Sequence, residues 1–260
     1  MKYEFINGDY SNSEIKKSYE ECGFSIVRNF FSAEEIGNNA KTGINTELYR
    51  FGQMLCNQFD IDTKGLTNEQ LDKFFVRLVQ KHPTIQPIIY DRLQLFPSLL
   101  GLANNIKVRN LSENLLKSEN LGIWPRVQLR FDKYDDNYNQ IDWHHDYLYN
   151  KGTKSSITFW IPLVEIEIEM GVLNIAKGSH KLLDVNFIKS EVDRRFDFTL
   201  SDQLLKSLNI VESVKYYPGD LVIMNSMTLH QGNINRVKDR ARMVAIFRVQ
   251  DLNQLEDIVI

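Results

Sequence analysis

Val127-Gln128-Leu129-Arg130-Phe131, in mid-chain, alternates apolar and polar side chains with a period of two. That is the pattern of a strand with one face in a core. Similar segments follow. Residues 157–163 are rich in β-branched and aromatic side chains, and 171–175 form a short apolar run. Residues 221–224 come after a Pro218-Gly219-Asp220 turn, and 241–249 close the series. Short strands at this spacing, with no long helix between them, predict a sandwich or barrel. Upstream the texture is helical. Ser13 is placed to cap a short helix carrying Ile15 and Tyr19, which Gly23 ends. Residues 24–27 then read as a strand, and Ser32 with Glu35 as the capping box of a further helix. The strongest helix is 67–81. Thr67 and Gln70 form its capping box, and Leu71, Phe74, Phe75, Leu78 and Val79 share its core face. Residues 99–116 are also expected to be helical. The expected class is α+β in one domain, 1–260. A mainly helical flank (1–120) precedes a strand core (121–251), and residues 184–215 are inserted as a lid.

The 260 residues carry 31 Lys+Arg against 34 Asp+Glu, a formal net charge of -3. A chain so near neutrality lacks the positive footprint of a nucleic-acid binder, so no nucleic-acid partner is expected. At 43% hydrophobic it can bury a sizeable core. No apolar run approaches the ~20 residues of a membrane span. The opening MKYEFINGDY has no basic segment leading into an apolar one, so neither membrane insertion nor secretion is expected. Cys22 and Cys56 make neither a disulfide framework nor a thiolate zinc site, and a reducing cytoplasm is the expected compartment. Metal chemistry then falls to carboxylates and to His82, His144, His145, His180 and His230.

Residues 143–146 read Trp-His-His-Asp. On an extended segment residues i and i+2 point to the same side, so His144 and Asp146 can face one ion. His230 follows the apolar strand at 221–224. Arriving on a neighbouring strand, it completes two imidazoles and one carboxylate. Such a set leaves three metal positions open, which suits non-haem Fe(II) that must bind a cosubstrate and O2. By itself His-x-Asp is a weak signal, since a solvated His-Asp pair on a loop reads the same way.

Four stretches in order strengthen it. YEECGFSIVRNFFSAEEI (19–36), WHHD (143–146), TFWIPLVEIEIEMGVLNIAKGSHK (158–181) and YYPGDLVIMNSMTLHQGNINRVKDRARMVAIFRVQD (216–251) resemble the phytanoyl-CoA dioxygenase-like family of Fe(II)/2-oxoglutarate oxygenases. The resemblance implies a double-stranded β-helix (jelly-roll, cupin-like) core with helices packed outside, and 2-oxoglutarate as cosubstrate. It implies His144, Asp146 and His230 as iron ligands, with His145 pointing away. An arginine is implied for the distal C5 carboxylate of 2-oxoglutarate, since a planar fork grips a carboxylate with two charge-assisted bonds. Arg240 and Arg242 are the candidates. Arg242 is preferred because Arg242-Met-Val-Ala-Ile-Phe-Arg248 fits the family's frame. Gln128 is implied as a second cosubstrate contact, Thr158 and Trp160 as pocket-lining residues, and Asn235 as the organiser of a turn. His180, in a Gly-Ser-His turn, reads as structural. One departure stands out: where family members often carry a hydroxyl two residues after the distal histidine, this chain has Gly232, so cosubstrate contacts are expected to pass to Thr158, Gln128 or a tyrosine.

The resulting expectation is a dioxygenase that hydroxylates or otherwise oxidises a small molecule and releases succinate and CO2. Aromatic and basic residues over 60–120, among them Phe74, Phe75, Arg77, Tyr90 and Arg92, are expected to contribute substrate contacts. Halogenation is not expected. Related halogenases replace the carboxylate ligand with a small residue, and here Asp146 occupies that position. The rivals are a non-catalytic metal-binding jelly-roll sensor or scaffold and a cupin-type metal-dependent hydrolase. Neither has need of the C-terminal arginine.

Overall fold

The computed structural model describes residues 5–6, 11–36, 43–65, 67, 70–124, 127–150, 152–182, 185–189 and 198–254. The first helix, α1 (Asn12–Cys22), is capped by Ser11 rather than Ser13. Ser11 and Glu14 close the reciprocal capping box, because Ser11 has Glu at the third position beyond it. The helix buries Ile15, Tyr19 and Cys22 and ends at Gly23. Gly23 takes a left-handed conformation (φ 85°), and a Cβ there would lie 2.4 Å from Nδ1 of His180. Glycine is therefore required twice over, by backbone and by packing.

Strand β1 (Phe24–Val27) is buried throughout. The Ser32–Glu35 capping box forms, with Ser32 N–H donating to Glu35 and Glu35 N–H to Ser32. It closes only a turn at 33–36; any continuation over 37–42 lies outside the described residues. Helix α2 (Ile44–Gln58) follows. Helix α3 (Leu71–Lys81) starts later than the sequence predicts. Thr67 and Gln70 do exchange bonds, but Gln70 itself is the cap residue. Phe74, Phe75, Leu78 and Val79 lie in the core. Next come α4 (Gln86–Leu93) and α5 (Pro97–Ala103); the latter breaks at Asn104, where the sequence suggested one helix to 116. Asn105 then caps α6 (Ile106–Leu116).

The strands are β2 (Leu121–Ile123), β3 (Gln128–Asp132), β4 (Ser156–Pro162), β5 (Leu173–Ile175), β6 (Phe187–Lys189), β7 (Phe198–Leu200), β8 (Leu221–Asn225), β9 (His230–Gly232) and β10 (Arg242–Asp251). Short helices α7 (Asp146–Asn150) and α8 (Asp202–Ser207) interrupt them. The large antiparallel sheet runs β1-β8-β4-β10-β2, with β3 also pairing β10. β1 thus leaves the helical flank to serve as a sheet strand against β8, so the core begins well before residue 121. A second small sheet pairs β5 with β9, and an isolated bridge adds His144 to His230. The architecture is α+β, with a jelly-roll core and helices packed on one face.

β4 is buried along its whole length, so its two faces serve different interiors. Ile157, Phe159 and Ile161 point into the helix-covered core, where Phe159 stacks on Phe247 at 5.1 Å. Thr158 and Trp160 face the opposite way. On β10 the alternation is the same. Met243, Ala245, Phe247 and Val249 join the core, while Arg242, Val244, Ile246 and Arg248 line a cavity. Burying a phenylalanine of this kind contributes about 1.5–3 kcal/mol, which holds the sheet's register against slippage. A one-residue slip would drive two arginines into the apolar layer.

Candidate active site

The cavity lies on the inner face of the large sheet and has a volume of about 730 Å³ including its mouth. Strand register lays out its floor. Gln128 sits opposite Ile246, which sits opposite Trp160. Arg130 is opposite Val244, Asp132 opposite Arg242, and Thr158 opposite Arg248. Across this floor lie His144, Asp146 and His230, all buried.

One ligand atom from each of these three residues can be chosen so that all lie within 4.8 Å of one another. Backbone pairing brings the histidines together. His144 N–H donates to the His230 carbonyl and His230 N–H to that of His144, at 3.0 and 2.8 Å. Each ring is oriented from behind. Nδ1 of His144 is 2.6 Å from the Asp142 carbonyl, and Nδ1 of His230 is 2.9 Å from the Thr228 carbonyl. A carbonyl only accepts, so both Nδ1 atoms carry hydrogen and both Nε2 lone pairs are left for an ion. Burial, and after it the neighbouring His230, push His144 down to about 3, so the ring is neutral near pH 7. Asp146 opens α7, and the strand-to-helix change turns its carboxylate toward the imidazoles. Burial alone would raise its pKa. Arg248, then His230 and His144, outweigh burial and hold the carboxyl below the usual range. Two imidazoles, each held at Nδ1 by a backbone carbonyl, and one carboxylate form a donor set that fits a divalent transition ion.

Arg242 lies elsewhere in the cavity and is 5% exposed. Its Nε and Nη2 both donate to Oδ2 of Asp132, at 3.0 and 2.8 Å. Arg130 also donates to Asp132, at 2.6 Å. One carboxylate thus serves two guanidinium groups and leaves an excess of one positive charge at contact distance. Burial would raise Asp132, but Arg130 and Arg242 hold it down at about 2. The Nη1–Nη2 edge of Arg242 has one long bond, 3.4 Å to the Asn233 carbonyl. Gly232 faces that edge. A Cβ there would lie 3.0 Å from Nη2 and 3.4 Å from Nη1, so the missing side chain makes room for the guanidinium.

Arg240 does not line the cavity. Its Nε donates to Asp72 at 2.9 Å and its Nη2 to the Glu165 carbonyl at 2.8 Å. A proposed cosubstrate contact from Arg240 is therefore corrected: it tethers α3 to the sheet. Residues 240 and 242 share strand parity, but β10 starts only at Arg242, so the alternation does not extend to Arg240. Thr158 lines the cavity, with its hydroxyl proton committed to Oδ2 of Asp146. Gln128 also lines it. Asn235 organises its turn, accepting from Val237 N–H and donating to the Asp132 and Arg240 carbonyls. His145 faces away: Nδ1 accepts from Leu148 N–H, and the ring packs edge-on against Phe187 of β6 at 5.0 Å. Nε2 of His180 meets the Glu20 carbonyl at 3.2 Å, away from the cavity lining.

Among the described residues, none from 60–120 lines this cavity. Phe74 and Phe75 are core, Arg77 bonds the Asp62 carbonyl, and Tyr90 bonds the Phe131 carbonyl. The expected substrate contacts from that region are not found among the described residues. Sequence reasoning missed Arg130, Asp132 and Arg248. The signal was present: Arg130 shares parity with Gln128 on one strand, and Arg248 with Arg242 on another.

The jelly roll thus carries, in one cavity, a buried His-Asp-His set that could hold a metal ion and a buried arginine. Residues 19–244 match the phytanoyl-CoA dioxygenase (PhyH) family, and the chain belongs to it. Among curated proteins no sequence matches this one. Solved structures share the fold. The epimerase SnoN of nogalamycin biosynthesis, in complex with Fe3+, alpha ketoglutarate and nogalamycin RO, superposes with a TM-score of 0.62 at 15% identity, over 92% of this chain and 83% of that one. EctD from S. alaskensis with 2-oxoglutarate and 5-hydroxyectoine gives 0.59 at 15% identity, over 95% and 79%. EvdO2 from Micromonospora carbonacea var. aurantiaca gives 0.56 at 15% identity, over 95% and 94%. No helix among the described residues is long and apolar enough to cross a membrane.

Proposed function

We propose that this chain is an Fe(II)- and 2-oxoglutarate-dependent oxygenase that hydroxylates or otherwise oxidises a small molecule, releasing succinate and CO2. The observation that carries this reading is the shared cavity. It holds three side chains able to ligate one metal ion and, elsewhere on the same floor, a buried arginine cluster with one positive charge in excess. His144 and His230 would hold the iron through Nε2, and Asp146 through a carboxylate oxygen. Bound iron and 2-oxoglutarate supply the oxidising power from O2. Arg242 fixes the C5 carboxylate of the cosubstrate, and Asp132 fixes Arg242. Gln128 supplies a neutral amide on the same floor. Trp160, Ile141 and Leu173 keep the centre dry, so its charges act undiluted by water. Of the 184–215 insertion, read from sequence as a lid, the described strands β6 and β7 pair with each other, and Phe198 of β7 lies 6.4 Å from the ring of the cavity-lining Tyr149.

Asp146 fills the carboxylate position, so products should carry no chlorine even in high chloride. The test is incubation of the protein with Fe(II), ascorbate, 2-oxoglutarate and cell extract. Succinate should form only with Fe(II), and mass spectrometry should find a substrate oxidised by +16 or a related shift. Iron-independent succinate, or none with any extract, would refute the reading. A scaffold or hydrolase would give none.

A further inference from the structure

Among the described residues, Arg248 is the one cavity-lining arginine that hydrogen-bonds a member of the His-Asp-His set. Its Nη2 donates to Oδ1 of Asp146 at 2.6 Å. Oδ1 also accepts from Nδ2 of Asn150 at 3.3 Å, and Oδ2 accepts from the Thr158 hydroxyl. An ionised carboxylate offers about four lone-pair sites, two on each oxygen. Oδ1 is thereby saturated, and Oδ2 keeps one site. We propose that Arg248 is a positioning residue that, with Asn150 and Thr158, restricts Asp146 to ligating the metal through Oδ2 alone.

The consequence is functional. A carboxylate that chelates through both oxygens takes two coordination positions, and one held to a single oxygen takes one. Arg248 therefore preserves the third open position that a two-point cosubstrate and O2 together require. A role in stability explains the residue less well. Its Nε and Nη1 are buried without a hydrogen-bond partner among the described residues, an arrangement that costs rather than contributes stability. An anion-binding role is also a poorer fit, because Nη2 is already engaged with Asp146 and the one carboxylate matches the charge of the one guanidinium.

This inference rests on the triad being a metal site. The test is the visible d–d spectrum of the Co(II)-loaded protein, which reports coordination number and symmetry without turnover. Arg248→Met should still bind Co(II), with an affinity within about tenfold of wild type, since a lost charged hydrogen bond is replaced by a second metal contact. Its spectrum should shift to that of a site with one more protein ligand atom. Arg248→Lys, restoring a donor to Oδ1, should return it most of the way, and Arg240→Met should leave it unchanged. If Arg248→Met does not fold, Asn150→Ala, which frees the same oxygen, should give the shift in smaller measure. A wild-type spectrum in the folded Arg248 or Asn150 variants would overturn the proposal and leave the metal site standing. Absence of Co(II) binding by the wild type would overturn both.

Discussion

Strand β10 buries an arginine near each end, and the two are balanced differently. Arg242 shares Asp132 with Arg130, so that end carries positive charge in excess and a guanidinium edge with only one long bond. Arg248 faces Asp146 one to one, so charge there is matched before any ligand arrives. The strand is the same, and so is the facing of the two side chains; only the counter-charge differs. An arginine with surplus charge is prepared for a mobile anion. One with matched charge is prepared to hold a neighbour still. Burial alone, 5% exposure against 8%, does not separate them.

The largest expected effect lies at the metal end. Under anaerobic conditions, Fe(II) with 2-oxoglutarate should give a visible charge-transfer band, which His144→Ala and His230→Ala should abolish. A band surviving in either variant would remove that histidine from the ligand set. Chelation should also lower the melting temperature of the wild type, since a metal bound only by the folded state stabilises it.

Next comes the anion end. Arg242→Ala should weaken 2-oxoglutarate by about 2–5 kcal/mol, or roughly 30-fold to several thousand-fold in apparent KM. Arg240→Ala should scarcely alter it, because that guanidinium is spent on Asp72 and the Glu165 carbonyl. The reverse ranking would break the comparison.

Acid should separate the two ends in the metal-free protein. His144, held at about 3, stays neutral in the fold while the unfolded chain's histidine protonates near 6.5. The unfolded state binds more protons between those values, so stability falls as pH drops through that window. The loss at pH 5 should be about 2 kcal/mol. Asp132 has the opposite sense of ionisation and a different window. Its folded value near 2 gives stability that is present above about 4 and lost only below it. Urea unfolding from pH 7 to 5 should show the His144 slope, flattened in His144→Gln and unchanged in Asp132→Asn.

The smallest effect sharpens the anion end. Gly232→Ala places a methyl 3.0 Å from Nη2 of Arg242. It should raise the KM for 2-oxoglutarate several-fold, on the order of 1 kcal/mol, with iron affinity unchanged. An unaltered KM would show that the guanidinium has slack.

Much of the molecule was written in local pattern. Alternation at 127–131 and the apolar runs at 157–163 and 221–224 foretold the sheet, because a strand with one face in a core must repeat every two residues. The order of motifs around WHHD carried the family, which the match over 19–244 shows. Helix boundaries were less legible. Ser11, rather than Ser13, caps α1, and residues 97–116 hold two helices, since caps depend on which polar side chain reaches a free amide. Only the tertiary structure decided how charge is shared. That Asp132, already paired with its strand neighbour Arg130, also serves Arg242, and that Asp146 meets Arg248, depends on strand register between residues over a hundred positions apart. It likewise decided that Arg240 turns out to Asp72 while Arg242 turns in, and that Gly232 clears space for a guanidinium. Sequence spacing records which residue types are present and which way a regular strand points them. Pairing between distant charges is a property of the packed sheet, where low dielectric makes each partner count.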